Sequence, residues 1–340
     1  MSILRPAPTL DDVARLAGVS TATVSRALNV PDKLSADTKD RVLDAVRTLG
    51  YAPNFAARVM ASRKTNTIGA IIPTMENAIF AQGLQAFQEE LRLNGYTLLV
   101  ASSAYDPNME EEQIRTLVAR GADGLLLIGL DRSDAINAFL RDRNIPTLVA
   151  WTLDQTNSRP SIGFDNRAAM MALAQKVIGF GHRRLALISA IARTNDRARA
   201  RWQGVLDAME QAGLSAEDLT VVETPYGIDN GANAFDRLWT ADRPPTAVMC
   251  GNDVLAIGAM RRARELGLEV PRDVSITGFD DIEIAQVAHP ALTTVHVPHA
   301  EMGRRAAQAL LAIMTKAADV PSIALSTDLK LRGSLGPNTR

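Results

Sequence analysis

The feature that most constrains this chain is a long alternation of short apolar runs with amphipathic stretches, which begins at Asn66. The runs cover residues 68–73, 97–101, 125–128, 147–151, 185–189, 221–224, 247–250, 274–278 and 293–297. Such runs predict strands, and several of the stretches between them have helical periodicity. Strands that alternate with helices predict parallel sheets with helices on both faces, and the number of units predicts two sheets.

Polar residues follow several apolar segments of the chain, including two of these predicted strands. Asp165, Asn252 and Asp280 each follow an apolar run. Ligands of parallel sheets bind beyond the carboxyl ends of the strands, so these side chains are candidate ligand contacts. An Asp or Asn at such a position is also a common cap of the next helix, and the sequence leaves both interpretations open.

Arginines and aromatic residues add to this predicted cleft. Arg201 follows what we interpret as an arginine-rich loop, which contains Arg193, Arg197 and Arg199. A guanidinium can form two parallel hydrogen bonds to a carboxylate, although these arginines can equally form a solvated surface. Phe80 and Tyr226 offer flat apolar surfaces of the kind that pack against sugar rings.

The first 66 residues lack this alternation and contain three short helical patterns instead. Thr9 with Asp12 forms a capping pattern, and Ser20 and Ser35 each precede a further apolar stripe. The short, glycine-containing turn Ala17–Ser20 is typical of a helix-turn-helix, whose second helix enters the major groove of DNA. A three-helix scaffold that binds protein is the alternative that this pattern leaves open.

The charge is distributed unevenly between these two regions. The chain of 340 residues has a formal net charge of −1, yet residues 1–66 hold ten Lys or Arg and six Asp or Glu. A basic N-terminal region on an acidic remainder indicates that the N-terminal region alone meets a polyanion.

Several classes of protein are disfavoured by what the sequence lacks. The N-terminus has no apolar segment typical of a secretory signal, and no apolar run is long enough for a membrane span. Cys250 is the only cysteine, which fits a reducing compartment. We therefore expect a cytoplasmic protein without a membrane association.

Catalytic patterns are missing as well. No glycine-rich phosphate loop follows the first predicted strand, and the four histidines are scattered without metal-site spacing. Ser189 and Ser275 lack the context of a nucleophile elbow. The sequence predicts no enzyme activity, no metal and no cofactor.

The N-terminal motifs resemble those of a known family. Leu10–Asn29, with Leu49–Asn54 and Ala57–Arg58 after it, is similar to the lactose-repressor (LacI) family of transcription regulators. The resemblance implies a hinge helix from Pro53 to about Ser62, with Met60 where the family has a leucine wedge in the minor groove. It implies these DNA-contacting residues: Thr21, Ala22, Thr23, Ser25, Arg26, Asn29, Tyr51, Asn54, Ala57, Arg58 and Met60.

The rest of the chain resembles the family's periplasmic-binding-protein-like effector domain. The resemblance implies these effector-binding residues: Phe80, Asp165, Arg197, Arg201, Tyr226, Asn252 and Asp280. His289–Val295 matches a crossover that returns to the first subdomain. Pro73–Phe80 departs from the family pattern, so we expect the pocket wall formed by the first subdomain to differ from that of other family members.

The expected fold class is a small all-α helix-turn-helix head plus hinge helix, joined to an α/β body of two doubly wound parallel-sheet subdomains. The expected boundaries are 8–52 for the head, 53–66 for the hinge and linker, and 67–333 for the effector domain. Within that domain we expect subdomain 1 at about 67–162 and 292–325, and subdomain 2 at about 163–291 and 326–333.

The expected function is a repressor of carbohydrate or sugar-acid catabolic genes, controlled by a small-molecule effector. Tyr105–Glu110, Ile162–Asn166 and Ile284–Val287 resemble the family's gluconate-utilisation repressors, which favours a sugar acid such as gluconate. We expect a homodimer on a palindromic operator, since the C-terminal tail has no heptads for a tetramerising coil. The alternatives are the solute-binding component of a sugar transporter and a sugar-acting enzyme.

Overall fold

The computed structural model describes residues 8–29, 33–52, 64–76, 78–154, 156, 159–315 and 320–338. The chain divides into two compact units, Met1–Thr65 and Asn66–Arg340. We call the described part of the first unit the head and that of the second the body. The predicted hinge helix, with Asn54, Ala57, Arg58 and Met60, lies outside the described residues.

Three helices form the head: α1 (Leu10–Ala17), α2 (Thr21–Asn29) and α3 (Ala36–Leu49). Thr9 forms a capping box with Asp12, which satisfies free N–H groups at the start of α1. Gly18 ends α1 with φ 66°, a left-handed conformation that glycine adopts without strain. The helices pack around a small apolar core that includes Val13, Val24 and Val42.

The body contains two sheets of six strands each. The strands of the first sheet are β1 (Thr67–Ile72), β2 (Thr97–Ser102), β3 (Gly124–Ile128), β4 (Thr147–Ala150), β5 (Ser161–Gly163) and β11 (Ile323–Ala324). Those of the second are β6 (Leu185–Ser189), β7 (Leu219–Glu223), β8 (Ala247–Cys250), β9 (Ser275–Asp280), β10 (Thr293–His296) and β12 (Asp328–Lys330). We call each sheet with its helices a half of the body.

The two sheets have corresponding strand orders, β11-β5-β4-β3-β1-β2 and β12-β10-β9-β8-β6-β7. Neighbouring strands are parallel, except that β12 runs antiparallel to β10. The central strands β1, β3, β6 and β8 are buried along their length, which explains their continuous apolar sequence. The predicted pair of parallel sheets is confirmed.

Helices cover the sheets on both faces. They are α4 (Ala81–Leu93), α5 (Pro107–Ala119), α6 (Asp134–Asp142), α7 (Asn166–Gly179), α8 (Asp196–Gln211), α9 (Ile228–Trp239), α10 (Asp253–Glu265), α11 (Glu283–Val287) and α12 (His299–Thr315). Among the described residues, no helix has the length and apolar character needed to cross a bilayer.

The expected division between the subdomains is wrong at residue 292. Strand β10 pairs with β9, with Thr293 opposite Thr277 and His296 opposite Asp280, so it belongs to the second sheet. The segment His289–Val295 therefore ends inside the second sheet, and α12 is the element that returns to the first. Apolar patterning cannot reveal this, because a buried apolar strand has the same pattern in either sheet.

The second half also extends past the expected end at residue 333. Ser334 accepts a hydrogen bond from the Thr293 amide at 2.8 Å and donates one to the Ile276 carbonyl at 2.6 Å. The Asn338 amide donates to the Phe180 carbonyl at 2.8 Å. This tail is polar and rich in glycine, so its attachment depends on hydrogen bonds that apolar periodicity does not reveal.

Candidate functional site

A narrow pocket lies between the two halves of the body. Its lining residues all lie at or after the carboxyl ends of strands, where parallel sheets bind ligands. They are Ile79, Phe80, Tyr105, Trp151, Asn195, Arg197, Arg201, Tyr226 and Asp280. The free volume inside the pocket is only about 20 Å³, because the two halves are close together around it.

Arg201 is held rigidly in the wall of this pocket. Its Nε donates to Oδ1 of Asn166 at 2.9 Å, and its Nη1 donates to the Gly251 carbonyl at 2.5 Å. The guanidinium carbon lies 3.8 Å from the centroid of the Phe279 ring. Stacking and hydrogen bonds together fix the plane of the guanidinium, so its remaining N–H groups point in a set direction.

Asp280 ends β9 and is 2% exposed. Its φ of 105° lies in a region that side chains other than glycine rarely adopt, and strain of this kind concentrates at ligand sites. Burial raises the pKa of Asp280 to about 6, although Arg201 and Arg197 act in the opposite direction. The Arg201 Nη2 lies 3.8 Å from Asp280 Oδ1, which is too far for a hydrogen bond.

Arg197 is the second buried cation of the pocket, at 8% exposed. Its Nη1 donates to Oδ1 of Asp196 at 2.8 Å. The guanidinium lies directly against Gly129, where a Cβ atom would be 1.7 Å from Nη1. Glycine at 129, in the first half, therefore makes room for an arginine from the second.

The predicted arginine-rich loop is wrong, because α8 begins at Asp196 and includes three of the four arginines. Asn195 caps this helix by accepting from the Ala198 amide at 3.3 Å. Arg197 and Arg201 are four residues apart and so share one helix face, which is buried. Arg193, before the helix, is exposed, so the same short segment contains both pocket and surface arginines.

Arg199 lies on another face of α8 and does not line the pocket. Its Nη1 and Nη2 donate to the Asp131 carboxylate at 2.8 and 2.6 Å. Because Asp131 follows β3 of the first sheet, this ion pair joins the two halves. The Leu130 amide donates to Oδ2 of Asp196 at 3.1 Å and makes a second such link.

Aromatic rings form the other walls of the pocket. Phe80 meets Trp151 edge to face with centroids 5.2 Å apart, and Tyr105 lies 5.4 Å from Tyr226. Burial raises the pKa of both tyrosines, which keeps their hydroxyls protonated. The sequence did not single out Trp151 or Tyr105, although Trp151 ends a predicted strand and Tyr105 follows one.

Two of the predicted effector-binding residues act as helix caps. Asp165 is exposed, accepts from the Ala168 amide at 2.9 Å and does not line the pocket. Its neighbour Asn166 is buried instead and bonds Arg201. Asn252 is fully buried and accepts from the Leu255 amide at 2.9 Å, while its Nδ2 has no partner within the described residues.

The predicted DNA-contacting residues of the described head lie on α2 and after α3. Ala22 and Arg26 are exposed, and Thr21, Thr23 and Ser25 are partly exposed. Asn29 is the last residue of α2. Tyr51 differs from these, because it packs partly buried against the head core.

The comparisons with known proteins agree with this architecture. A family model described as bacterial regulatory proteins, lacI family, matches residues 9–54, and a periplasmic binding protein-like domain matches residues 174–335. Catabolite control protein A of Priestia megaterium is 31% identical over 308 residues, which cover 91% of this chain and 93% of that protein. This chain belongs to the LacI family. It is a DNA-binding transcriptional regulator and not an enzyme.

Further LacI-family members are similar over almost their whole length. The regulator GntR of Pseudomonas aeruginosa is 33% identical, over 90% of this chain and 89% of that protein. The lac repressor dimer bound to operator and the anti-inducer ONPF has a TM-score of 0.86 at 27% identity, over 97% of this chain and 100% of that one. The CelR–cellobiose complex has a TM-score of 0.72 at 28% identity, over 96% and 99%. These relatives give no support to a transporter component.

Proposed function

We propose that this LacI-family regulator represses carbohydrate or sugar-acid catabolic genes and that a sugar acid such as gluconate is its effector. The observation that carries the proposal is that two buried guanidinium groups, Arg197 and Arg201, line the pocket beside one carboxyl, Asp280, while Asp196 pairs with Arg197 from outside the lining. A carboxylate that leaves water needs a charge-assisted partner, and an arginine offers one. The aromatic walls suit the apolar faces of a carbon chain or ring.

The proposal assigns different tasks to the two arginines. The hydrogen bonds of Arg201 to Asn166 and Gly251 already occupy much of its guanidinium. Among the described residues, Arg197 donates a side-chain hydrogen bond to Asp196 alone, so we assign the effector carboxylate to Arg197. Phe80 and Tyr226 would contact the carbon skeleton, and Asp280 a hydroxyl. Asn252 stays a candidate contact through its unpartnered Nδ2, whereas we now propose Asn166 in place of Asp165.

Calorimetry with D-gluconate and D-glucose tests the effector class. We expect gluconate to bind wild-type protein more tightly than glucose, and Arg197→Gln to weaken gluconate binding by about tenfold or more with little effect on glucose. Arg193→Gln is the matched control, since Arg193 is exposed nearby. Tight binding of glucose with no binding of gluconate would overturn the sugar-acid proposal.

For operator recognition we propose that α2 enters the major groove. Arg26 suits a bidentate contact to guanine, and Thr21 and Ala22 suit thymine methyl groups. Thr23, Ser25, Asn29 and Tyr51 would contact bases or phosphates nearby. The exposure of Arg26 supports this assignment.

We expect Arg26→Ala to weaken operator binding by about 1–3 kcal/mol and to relax specificity, in a gel-shift assay. Arg47→Ala on α3 is the control.

The segment from Pro53 to Asn66 would be the hinge and linker, with Asn54, Ala57 and Arg58 near the DNA and Met60 as the wedge in the minor groove. Methionine is apolar but more flexible than leucine. We expect Met60→Ala to lower operator affinity and DNA bending, and Met60→Leu to preserve both. Unchanged affinity and bend in Met60→Ala would disprove the wedge.

We propose further that the regulator is a cytoplasmic homodimer on a palindromic operator. Leu93, Leu99 and Val100 on the first half, with Ile284 and Val287 on the second, are exposed apolar side chains. We assign these side chains to the dimer interface, where their apolar surface would be buried. Sedimentation analysis should give twice the mass of 36.6 kDa, and Val287→Asp with Leu93→Asp should shift the species to monomer. Their effect should exceed that of Met109→Asp, a control on another exposed apolar residue.

The effector would control the regulator by preferring one arrangement of the two halves. A coupling of about 1–3 kcal/mol changes operator affinity by about 5- to 150-fold. Operator titrations with and without gluconate measure this coupling, and its sign distinguishes induction from corepression.

A further inference from the structure

One buried histidine of the body faces the pocket residues from the opposite half. His299 is the first residue of α12, which packs on the first sheet, and it is 3% exposed. Asp280 ends β9 in the second sheet. The Nε2 atom of His299 lies 4.0 Å from Oδ1 of Asp280. The two side chains therefore approach each other across the division between the halves.

Close helix packing fixes the position of His299. Gly303, one turn further along α12, touches α4 so closely that a Cβ atom would lie 1.9 Å from the Gly83 carbonyl oxygen. A Cβ atom on Gly83 would lie 2.7 Å from the Trp151 ring and 3.2 Å from the His299 carbonyl oxygen. The start of α12 and the Trp151 ring are thereby held together.

The hydrogen bond from Trp151 determines which nitrogen of His299 carries the proton. The Trp151 Nε1 donates to His299 Nδ1 at 3.2 Å. An indole nitrogen can only donate, so Nδ1 is the unprotonated, accepting nitrogen. Burial lowers the pKa of His299 to about 4, which keeps the ring neutral near pH 7. The single proton is therefore on Nε2, and it faces Asp280.

Neither Nε2 of His299 nor Oδ1 of Asp280 has a hydrogen-bond partner within the described part of the chain. A buried donor and a buried acceptor without partners are costly. Their separation of 4.0 Å exceeds a direct hydrogen bond. One oxygen atom between them can nevertheless lie within hydrogen-bond distance of both.

We propose that one hydroxyl group of the effector lies between His299 and Asp280 and that His299 is a specificity-determining residue. The hydroxyl accepts from Nε2–H of His299 and donates to Oδ1 of Asp280. This inference rests on the proposed function, since it orients the same ligand in the same pocket. The effector carboxylate does not suit this position, because it can only accept hydrogen bonds and would be repelled by the negative charge of Asp280. The carboxylate is therefore assigned to Arg197, and a hydroxyl to the position beside His299.

The arrangement also gives the ligand a contact to each half of the body. Asp280 and the arginines belong to the second half, whereas His299 is a polar contact from the first. A hydroxyl bonded to both stabilises the arrangement in which the two halves are this close. His299 thus connects ligand recognition to the closeness of the halves.

Calorimetry with D-gluconate on the full chain tests the role of His299. We expect His299→Leu to weaken gluconate binding about tenfold or more, because the effector hydroxyl that donates to Asp280 then loses the hydrogen bond that it accepts from His299. His299→Gln, whose amide can donate, should recover part of the affinity. His289→Leu, at an exposed histidine, should bind as wild type does. Thermal unfolding and operator binding without ligand show that each variant is folded.

Nitrogen NMR of wild-type protein labelled at histidine adds a readout that a merely structural role would not change. We expect a neutral His299 with the proton on Nε2, and a shift of the Nε2 resonance when gluconate is added. Two results would overturn the role of His299 but leave the sugar-acid proposal standing. One is gluconate binding by His299→Leu that equals that of wild-type protein, and the other is a wild-type Nε2 resonance that does not move when gluconate binds. If wild-type protein binds neither gluconate nor glucose, the sugar-acid proposal is overturned, and this inference with it.

Discussion

The two halves of the body have the same strand order but contribute different chemistry to the pocket. The first half supplies Phe80, Tyr105 and Trp151, which are aromatic. The second supplies Arg197, Arg201 and Asp280, together with Tyr226 and Asn195. One sheet topology therefore carries an apolar wall in one copy and a charged wall in the other.

This contrast shows that the topology determines where the pocket forms, while the supporting contacts determine which ligands it can bind. In the second half, Arg201 is surrounded by acceptors of its own half, among them Asn166 and Gly251. In the first half the aromatic rings support one another by direct packing. His299 is the exception, since it is a polar group that the first half presents to the charged wall.

The largest expected effect follows from removing the centre of the charged wall. Arg201→Ala leaves Asn166, the Gly251 carbonyl and Asp280 without their buried partner. We expect a loss of about 3–5 kcal/mol in the free energy of unfolding, together with loss of effector binding. Urea denaturation and calorimetry measure the two effects. If Arg201→Ala is as stable as wild-type protein, the stability of the second half does not depend on the Arg201 guanidinium.

The aromatic wall should respond differently. Phe80→Ala removes a buried ring that packs on Trp151, and we expect it to cost about 3 kcal/mol of stability. Because the ring contributes no charge, gluconate and glucose binding should fall by the same factor. A selective loss of gluconate binding would contradict the division between the two walls.

Asp280 and His299 should give opposite pH dependences. The pKa of Asp280 is raised to about 6, so its protonation stabilises the folded protein as the pH falls from 6 towards 4. The pKa of His299 is lowered to about 4, so acidification from 6.5 towards 4 destabilises it. The two effects nearly cancel in wild-type protein, with a net loss of roughly 0.5 kcal/mol between pH 7 and pH 5.

Asp280→Asn removes the first of these effects and leaves the second. We expect the variant to lose about 2 kcal/mol of stability between pH 7 and pH 5. Urea denaturation of the body at both pH values measures the difference. Equal losses in the variant and in wild-type protein would contradict the raised pKa of Asp280.

The smallest expected effect belongs to the ion pair that joins the halves. Arg199 and Asp131 are 46% and 30% exposed, so solvent and salt screen their attraction. A double-mutant cycle with Arg199→Ala and Asp131→Ala should give a coupling of about 0.5–1 kcal/mol that decreases at high salt. A coupling insensitive to salt would contradict the assignment of this pair to the surface.

Local sequence determined much of the fold. Alternating apolar runs marked the central strands, since buried parallel strands are continuously apolar. Caps such as Thr9 and Ser35, and Gly18 with its left-handed φ, marked the helix ends of the head. The short strands β5, β11 and β12 were missed, because two or three residues do not establish a period.

The pocket could be predicted only in part. Phe80, Arg197, Arg201, Tyr226 and Asp280 came from strand ends and from the family resemblance, and all five line the pocket. Asp165 and Asn166 show the limit of this reasoning. Both follow β5, but which of two adjacent side chains is buried depends on the turn of the backbone at the start of α7.

Local patterns in the chain were sufficient to establish the family, the two kinds of domain and the strand ends that line the candidate pocket. By contrast, the pairing of β10 within the second sheet and the buried helix face shared by Arg197 and Arg201 are visible only in the folded protein. The same is true of the contact of His299 with Asp280, between residues 19 positions apart on opposite halves. Such contacts depend on how helices and sheets pack. The periodicity of one helix or strand indicates which of its faces is buried, but not which residue of another element that face contacts.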